Sequence, residues 1–88
     1  VGGAVSSAVG KRLKKLGFNQ QILVVTHSPQ VAALGKHHWK ISKSDELEPK
    51  TIATHLGKNE RVEEIGRMLS GEKITAEARS AARKLMEE

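Results

Sequence analysis

The sequence has no cysteine and no tyrosine, and its aromatic residues are Phe18 and Trp39 alone. Without cysteine there can be no disulfide framework and no thiolate zinc site. With two aromatics, any core must be built from Val, Ile, Leu, Ala and Met. No apolar run approaches the ~20 residues that cross a bilayer, and no signal-peptide pattern is visible. A soluble chain with no membrane partner is therefore expected. Acidic residues are also missing from one half. Residues 1–44 carry Lys11, Arg12, Lys14, Lys15, Lys36, Lys40 and Lys43 and no Asp or Glu, whereas all ten acids fall in residues 45–88. A basic half of this kind is either a nucleic-acid footprint, bound by phosphate neutralisation, or a surface whose balancing acids lie elsewhere.

What is present fits one small domain over residues 1–88, and domains of this size bury a modest fraction of their surface. The opening Val1-Gly2-Gly3-Ala4 reads as the middle of a longer sequence, so a fragment is expected. Ala4, Val5, Ala8, Val9, Leu13 and Leu16 recur at helical spacing, with basic residues near the end and Gly17 as a stop. Ile22-Leu23-Val24-Val25 is an unbroken, mostly β-branched run, the pattern of a strand buried on both faces of a parallel sheet. Its parallel neighbour would precede Val1. Ser28 and Pro29 suit the N-cap and first position of a short helix through Val31, Ala32 and Leu34, ended by Gly35.

Trp39 and Ile41 alternate with polar residues, and residues 51–56 read as a further strand, so an antiparallel hairpin is expected around the polar turn at 44–49. Asn59 is placed as the cap of a helix with Val62, Ile65 and Leu69 as its core stripe. Arg61, Glu63, Glu64 and Arg67 form its solvated face. Thr75 is placed as the cap of a last helix through Ala78, Ala81, Ala82 and Leu85. The expected order is helix, buried strand, short helix, β-hairpin and two C-terminal helices, an α/β arrangement.

His27 is the leading site candidate. Ligands of open α/β sheets bind beyond the carboxyl ends of the strands, and His27 stands just past the apolar run and just before a helix start. An imidazole there could donate to a terminal phosphate or hold an attacking water; it could equally satisfy nearby backbone groups. Gly10-Lys11 mimics the end of a phosphate-binding loop, but the first glycine of that pattern is replaced by Val5 and the final Ser or Thr by Arg12, inside a helix. His37 and His38 should point to opposite faces of a strand. His38 could face His55 across the hairpin, but nothing completes a ligand set, so no metal site is expected. Trp39 with Lys36, Lys40 and Lys43 either stacks on nucleic acid or packs on the sheet with its lysines in water, and the second is favoured.

The stretch Ile22-Leu23-Val24-Val25-Thr26-His27-Ser28 resembles the strand and switch-histidine loop of ABC-type ATPases, and Gly2-Gly3 followed by a helix resembles the segment after their D-loop. Val1-Gly2-Gly3-Ala4-Val5, Val24-Val25-Thr26-His27-Ser28-Pro29-Gln30-Val31-Ala32-Ala33, His38-Trp39-Lys40-Ile41 and Arg61-Val62-Glu63-Glu64-Ile65-Gly66-Arg67-Met68-Leu69 together resemble the C-terminal end of the RecN family. These are SMC-like ATPases of bacterial double-strand-break repair.

The resemblance implies the C-terminal part of a P-loop ABC-type ATPase head. His27 would be its catalytic and ATP-sensing residue, with Gly2 and Gly3 beside the nucleotide at the interface between two heads. It implies ATP with Mg²⁺ as cofactors, the Mg²⁺ ligands lying upstream. The implied partners are the rest of the head, a second head in a homodimer, and DNA through the parent protein, in a cytoplasmic, nucleoid-associated setting. The Walker motifs and signature motif are absent here, and Leu69-Ser70-Gly71-Glu72 echoes the signature only in the wrong place, as a turn between two helices. Hydrolysis needs these parts acting together, so the fragment alone is not expected to turn over ATP.

Two rivals remain, a small basic DNA-binding module and a self-contained interaction domain. A salt titration of the chain on duplex DNA separates the module from the ATPase fragment. The expected outcome is no binding at moderate salt; tight binding with a steep log–log salt slope makes the chain a DNA-binding module instead.

Overall fold

A computed structural model describes residues 2–88, so the Val1 part of the first quoted motif lies outside the described residues. The elements in order are α1 (Gly3–Leu16), α2 (Pro29–Ala32), β1 (Trp39–Lys43), β2 (Thr51–His55), α3 (Lys58–Ser70) and α4 (Ala76–Glu87). The chain is thus mixed helix and strand. Its sheet, among the described residues, is the antiparallel pair β1–β2. No helix is long and apolar enough to cross a membrane.

The local chemistry explains most boundaries. α1 carries Lys14 and Lys15 in its last turn, where cations complement the helix dipole. Ser28 caps α2, its hydroxyl oxygen accepting from the Val31 N–H at 3.4 Å, and Pro29 occupies the first turn, where its missing N–H costs nothing. Thr75 caps α4, accepting from the Ala78 N–H at 3.0 Å. Asn59, however, is not a cap. The cap stands two residues earlier, at Gly57, because the Glu60 carboxylate reaches back to accept the Gly57 N–H at 2.9 Å and closes the turn there. Gly71 ends α3 with φ of 85°, a backbone conformation that favours glycine.

The hairpin pairs Trp39 with His55, Ile41 with Ala53 and Lys43 with Thr51 on one face, and Lys40 with Thr54 and Ser42 with Ile52 on the other. Leu56 falls just beyond β2 and is buried, its N–H donating to the His38 carbonyl at 2.9 Å.

The core sits on α3. Ile65 is fully buried among Ala33, Val62 and Ala82, with Leu85 and Met86 packed at the margin. Small partners let the helices approach closely. A Cβ on Gly66 would lie 3.3 Å from Ile74 Cγ2, and α4 comes down beside it at Ala78. Leu69, expected in the stripe, is on the exposed side, and Ala81 is exposed while Ala78 and Ala82 are buried. On α3 the inward face is turned slightly from the ideal stripe, toward Gly66 and Met68.

The buried strand at 22–25 does not form. The segment belongs to no helix or strand, and Leu23 and Val25 are 89% and 95% exposed. A strand needs a ladder partner, and among the described residues the two strands present pair with each other, at a distance in sequence from this run.

α1 and α2 meet at Gly10. A Cβ there would come within 3.1 Å of the Gln30 carbonyl oxygen and of Leu34 Cδ1, and 3.3 Å of Val31 Cα. Two of these three neighbours are backbone and cannot step aside. The buried position of Gly10 inside α1 also removes it from any phosphate loop, as its helical setting requires. Gly10→Val is expected to lower stability by about 1–3 kcal/mol through overpacking, whereas Gly2→Ala, with nothing within 4 Å, should change it by less than about 0.5 kcal/mol. Urea unfolding of both variants checks this, and equal midpoints would contradict the close approach.

Candidate functional site

His27 lies in the connection between α1 and α2 with its side chain exposed, and no hydrogen bond engages its ring among the described residues. The loop around it is nonetheless ordered by its neighbours. The Thr26 hydroxyl oxygen accepts the Ser28 N–H at 2.9 Å, and the Ser28 hydroxyl donates to Gln30 Oε1 at 3.1 Å. The Gln30 side chain in turn lies against the start of α1, its Nε2 3.4 Å from where a Cβ on Gly3 would stand. Gly3 and the His27 loop, separated in sequence by a whole helix, therefore share one end of the α1–α2 pair. Gly2, the N-cap of α1, is exposed and meets nothing nearby.

The loop is carried by α2, and α2 is held from behind by Arg61. One guanidinium nitrogen of Arg61, Nη2, donates to the carbonyl oxygens of Gly35 at 2.8 Å and of Ala32 and Ala33 at 3.3 Å each. A cation at the end of a helix, on carbonyls that the helical ladder leaves short of donors, is favourable on both counts. Arg61 Nε and His38 Nδ1 are buried without a protein hydrogen-bond partner.

Burial, and then the Arg61 charge, push the His38 imidazole below its ordinary value, against a weaker opposing pull from Glu64. Burial also lowers the Arg61 guanidinium. Glu64 is 9% exposed, gripped by Arg67 through two bonds of 2.8 and 2.7 Å and approached by Lys40 of the hairpin at 3.5 Å. The Arg67 hydrogen bonds hold its carboxyl below the usual range, assisted by the charges of Arg67 and Lys40 and opposed by burial.

These side chains correct the expectation of a wholly solvated face. Arg61 and Glu64 face inward beside Val62 and Ile65 because each finds charged or carbonyl partners on a neighbouring element, whereas Glu63 stays outside with Arg79 at 2.7 Å. The sequence signal was the spacing itself. Residues 61, 64, 65 and 68 lie on one side of a helix, so the inward face is wider than the apolar stripe.

On the hairpin, His55 meets His37 rather than His38, Nε2 to Nδ1 at 3.4 Å, and His38 turns inward to the seam with α3. Trp39 stands edge-on to His55 at a ring separation of 5.0 Å and remains 56% exposed. Among the described residues no three His, Cys, Asp or Glu side chains gather as metal ligands.

No family model matches the chain. It is 47% identical over 90 residues to the DNA repair protein RecN of Xylella fastidiosa strain 9a5c, an alignment covering 100% of this chain and 16% of that protein. To the RecN of Rickettsia felis it is 45% identical over 87 residues, covering 98% of the chain and 16% of that protein. To that of Deinococcus radiodurans it is 45% identical over 74 residues, covering 81% and 13%. The class is therefore that of a DNA repair protein. More particularly, the chain belongs to the RecN family and corresponds to a segment of 16% of the relatives' length.

The two inward charges set a pH dependence. Folded His38 binds its proton less readily than unfolded His38, so the unfolded state holds more protons and stability falls as pH drops through about 6.5. Glu64 acts in the same direction at lower pH. Its folded value is depressed, so its contribution is present above about 4.3 and lost as pH falls below that. Unfolding midpoints measured from about pH 7.5 to 3.5 should decline in two steps. His38→Gln should remove the upper step only; an unchanged upper step in that variant contradicts the assignment.

Proposed function

We propose that residues 1–88 are the C-terminal part of a P-loop, SMC-like ABC-type ATPase head, and that His27 is the residue through which this part reads the terminal phosphate of ATP. The observation that carries the reading is the state of His27 itself. In a RecN-family chain, its exposed imidazole is committed to no described neighbour, on a loop whose Thr26, Ser28 and Gln30 are all tied down. A ring so placed keeps its N–H for an acceptor from outside the chain.

The fit to the cofactor is partial, and consistently so. A histidine can donate to a phosphate oxygen, but the first acid in the sequence is Asp45, and among the described residues no three His, Asp or Glu side chains gather to hold Mg²⁺. The Mg²⁺ ligands and the phosphate-binding lysine are assigned to the rest of the head, which supplies the hydrolytic chemistry when ATP is bound. Gly3, drawn against Gln30 of the same end, supports placing Gly2 and Gly3 at the interface with a second head of a homodimer. The exposed Leu23 and Val25 support a missing sheet neighbour from the same head. On this reading the parent protein couples ATP turnover to work on broken DNA in repair and recombination, in the cytoplasm and on the nucleoid.

Replacing His27 by Ala in the full-length protein should lower ATP turnover about 100-fold, the usual cost of one lost donor to a developing charge. The circular-dichroism spectrum and unfolding midpoint should be unchanged, because the ring touches nothing that holds the fold. Turnover close to that of the unaltered protein would sink the assignment.

A further inference from the structure

We propose that Arg61 is a positioning residue for His27, acting through α2, an inference that rests on the reading of His27 given above. His27 has no contact of its own to fix it, so its place is inherited from the helix that begins at the next residue but one. That helix, Pro29–Ala32, has four residues, far too few to be stable by itself. It is held on two sides. From α1 it receives a close backbone seat at Gly10, and from α3 it receives the Arg61 guanidinium on the carbonyls of Ala32, Ala33 and Gly35.

The two holds differ in kind. Gly10 excludes bulk but grips nothing. Arg61 is a directional clamp, with its bonds shared among three acceptors and its own helix anchored by Val62 and Ile65, which are buried. Arg61 is therefore the polar link between the end of α2 and the core, beside the apolar contact of Ala33 with Val62, Ile65 and Ala82. Removing its donors leaves α2, and the loop ahead of it, free to shift against α1. A shift on the order of 1 Å at a reacting centre is enough to cost a large factor in rate. ATP affinity, set mainly by residues outside this chain, should hardly respond.

The test compares four variants of the full-length protein by steady-state ATP turnover and unfolding midpoint. Arg61→Met keeps the buried aliphatic stem but no donor. It should lower kcat about tenfold with KM for ATP within about twofold. Arg61→Lys should recover kcat to within about threefold, because an ammonium can donate to the same carbonyls. Thr75→Ala is the stability control. It removes the α4 cap, a loss of about 1 kcal/mol, without touching α2, and should leave kcat unchanged. His27→Ala reports on the underlying reading.

A fall in kcat for Arg61→Met and His27→Ala, with rescue by Lys and none for Thr75→Ala, supports the proposal. Unchanged kcat in Arg61→Met beside a large fall in His27→Ala overturns it and leaves the function standing. An equal fall in Thr75→Ala also overturns it, by making the effect one of stability. Unchanged turnover in His27→Ala overturns the function and the proposal together. Should Arg61→Met not fold, Arg61→Gln, whose amide nitrogen stops two bonds short of the bonding Nη2, takes its place with the same expectation.

Discussion

The bonds from Arg61 to the carbonyls of Ala32, Ala33 and Gly35 fix the end of α2 against α3, beside the buried contact of Ala33 with Ile65 and Ala82. On one side α1 and α2 rest against each other through Gly10; on the other, α3 and α4 enclose Ile65. α3 reaches both with charge as well as with apolar surface, and the residue after α4 adds a second tie, Glu88 accepting from Lys11, Ser7 and Lys14 of α1. Arg61 points to α2, and Glu64 points to Lys40 of the hairpin. Both charged groups are drawn out of water, which is tolerable only because each has partners waiting. A helix that carried only Val62 and Ile65 inward would hold Ala33 by apolar contact alone, with no directional bond to the helix behind the loop of His27.

That economy of packing has a counterpart in what stays unpacked. Phe18, Leu23 and Val25 stand largely in water, and Val5, Val9 and Leu16 of α1 are about half exposed. Apolar side chains this close together in the chain are seldom left uncovered in a complete domain. The chain matches 16% of the length of its RecN relatives. On the proposed reading, both facts have one cause: the sheet and the nucleotide site belong to the whole head, and this segment contributes one edge of each. Part of the basic excess of residues 1–44 is met within the chain, where Lys11 reaches Glu88 at 3.4 Å and Lys40 reaches Glu64 at 3.5 Å.

Local rules were legible in the sequence wherever the deciding atoms were close in sequence. The Ser28 and Thr75 caps, the extent of α1 and the antiparallel pairing of the hairpin all follow from such neighbours. Asn59 was misplaced because Glu60 offered a competing closure one residue on, and the Gly57 N–H took it. The buried strand at 22–25 could not be judged from its own residues, since a β-ladder is a property of two segments. Arg61 and Glu64 were unreadable for a related reason. A charged residue beside an apolar stripe faces inward only when a partner exists on another element, and neither the carbonyls of α2 nor Lys40 is close to α3 in sequence. His37 and His38 exchanged roles because a one-residue offset at a strand entrance reverses the face. At the candidate site the sequence offers His27, Gly2 and Gly3 as candidates; Gln30, which brings Gly3 to the loop, and Arg61, which anchors the helix behind it, needed the structure.

The central claim concerns one distance. A crystal structure of the full-length protein with a non-hydrolysable ATP analogue and Mg²⁺ should place a ring nitrogen of His27 at about 3 Å from an oxygen of the terminal phosphate, with Arg61 still on the carbonyls of α2. A nucleotide bound with the His27 ring turned away, beyond the reach of a hydrogen bond or a single bridging water, would contradict the account.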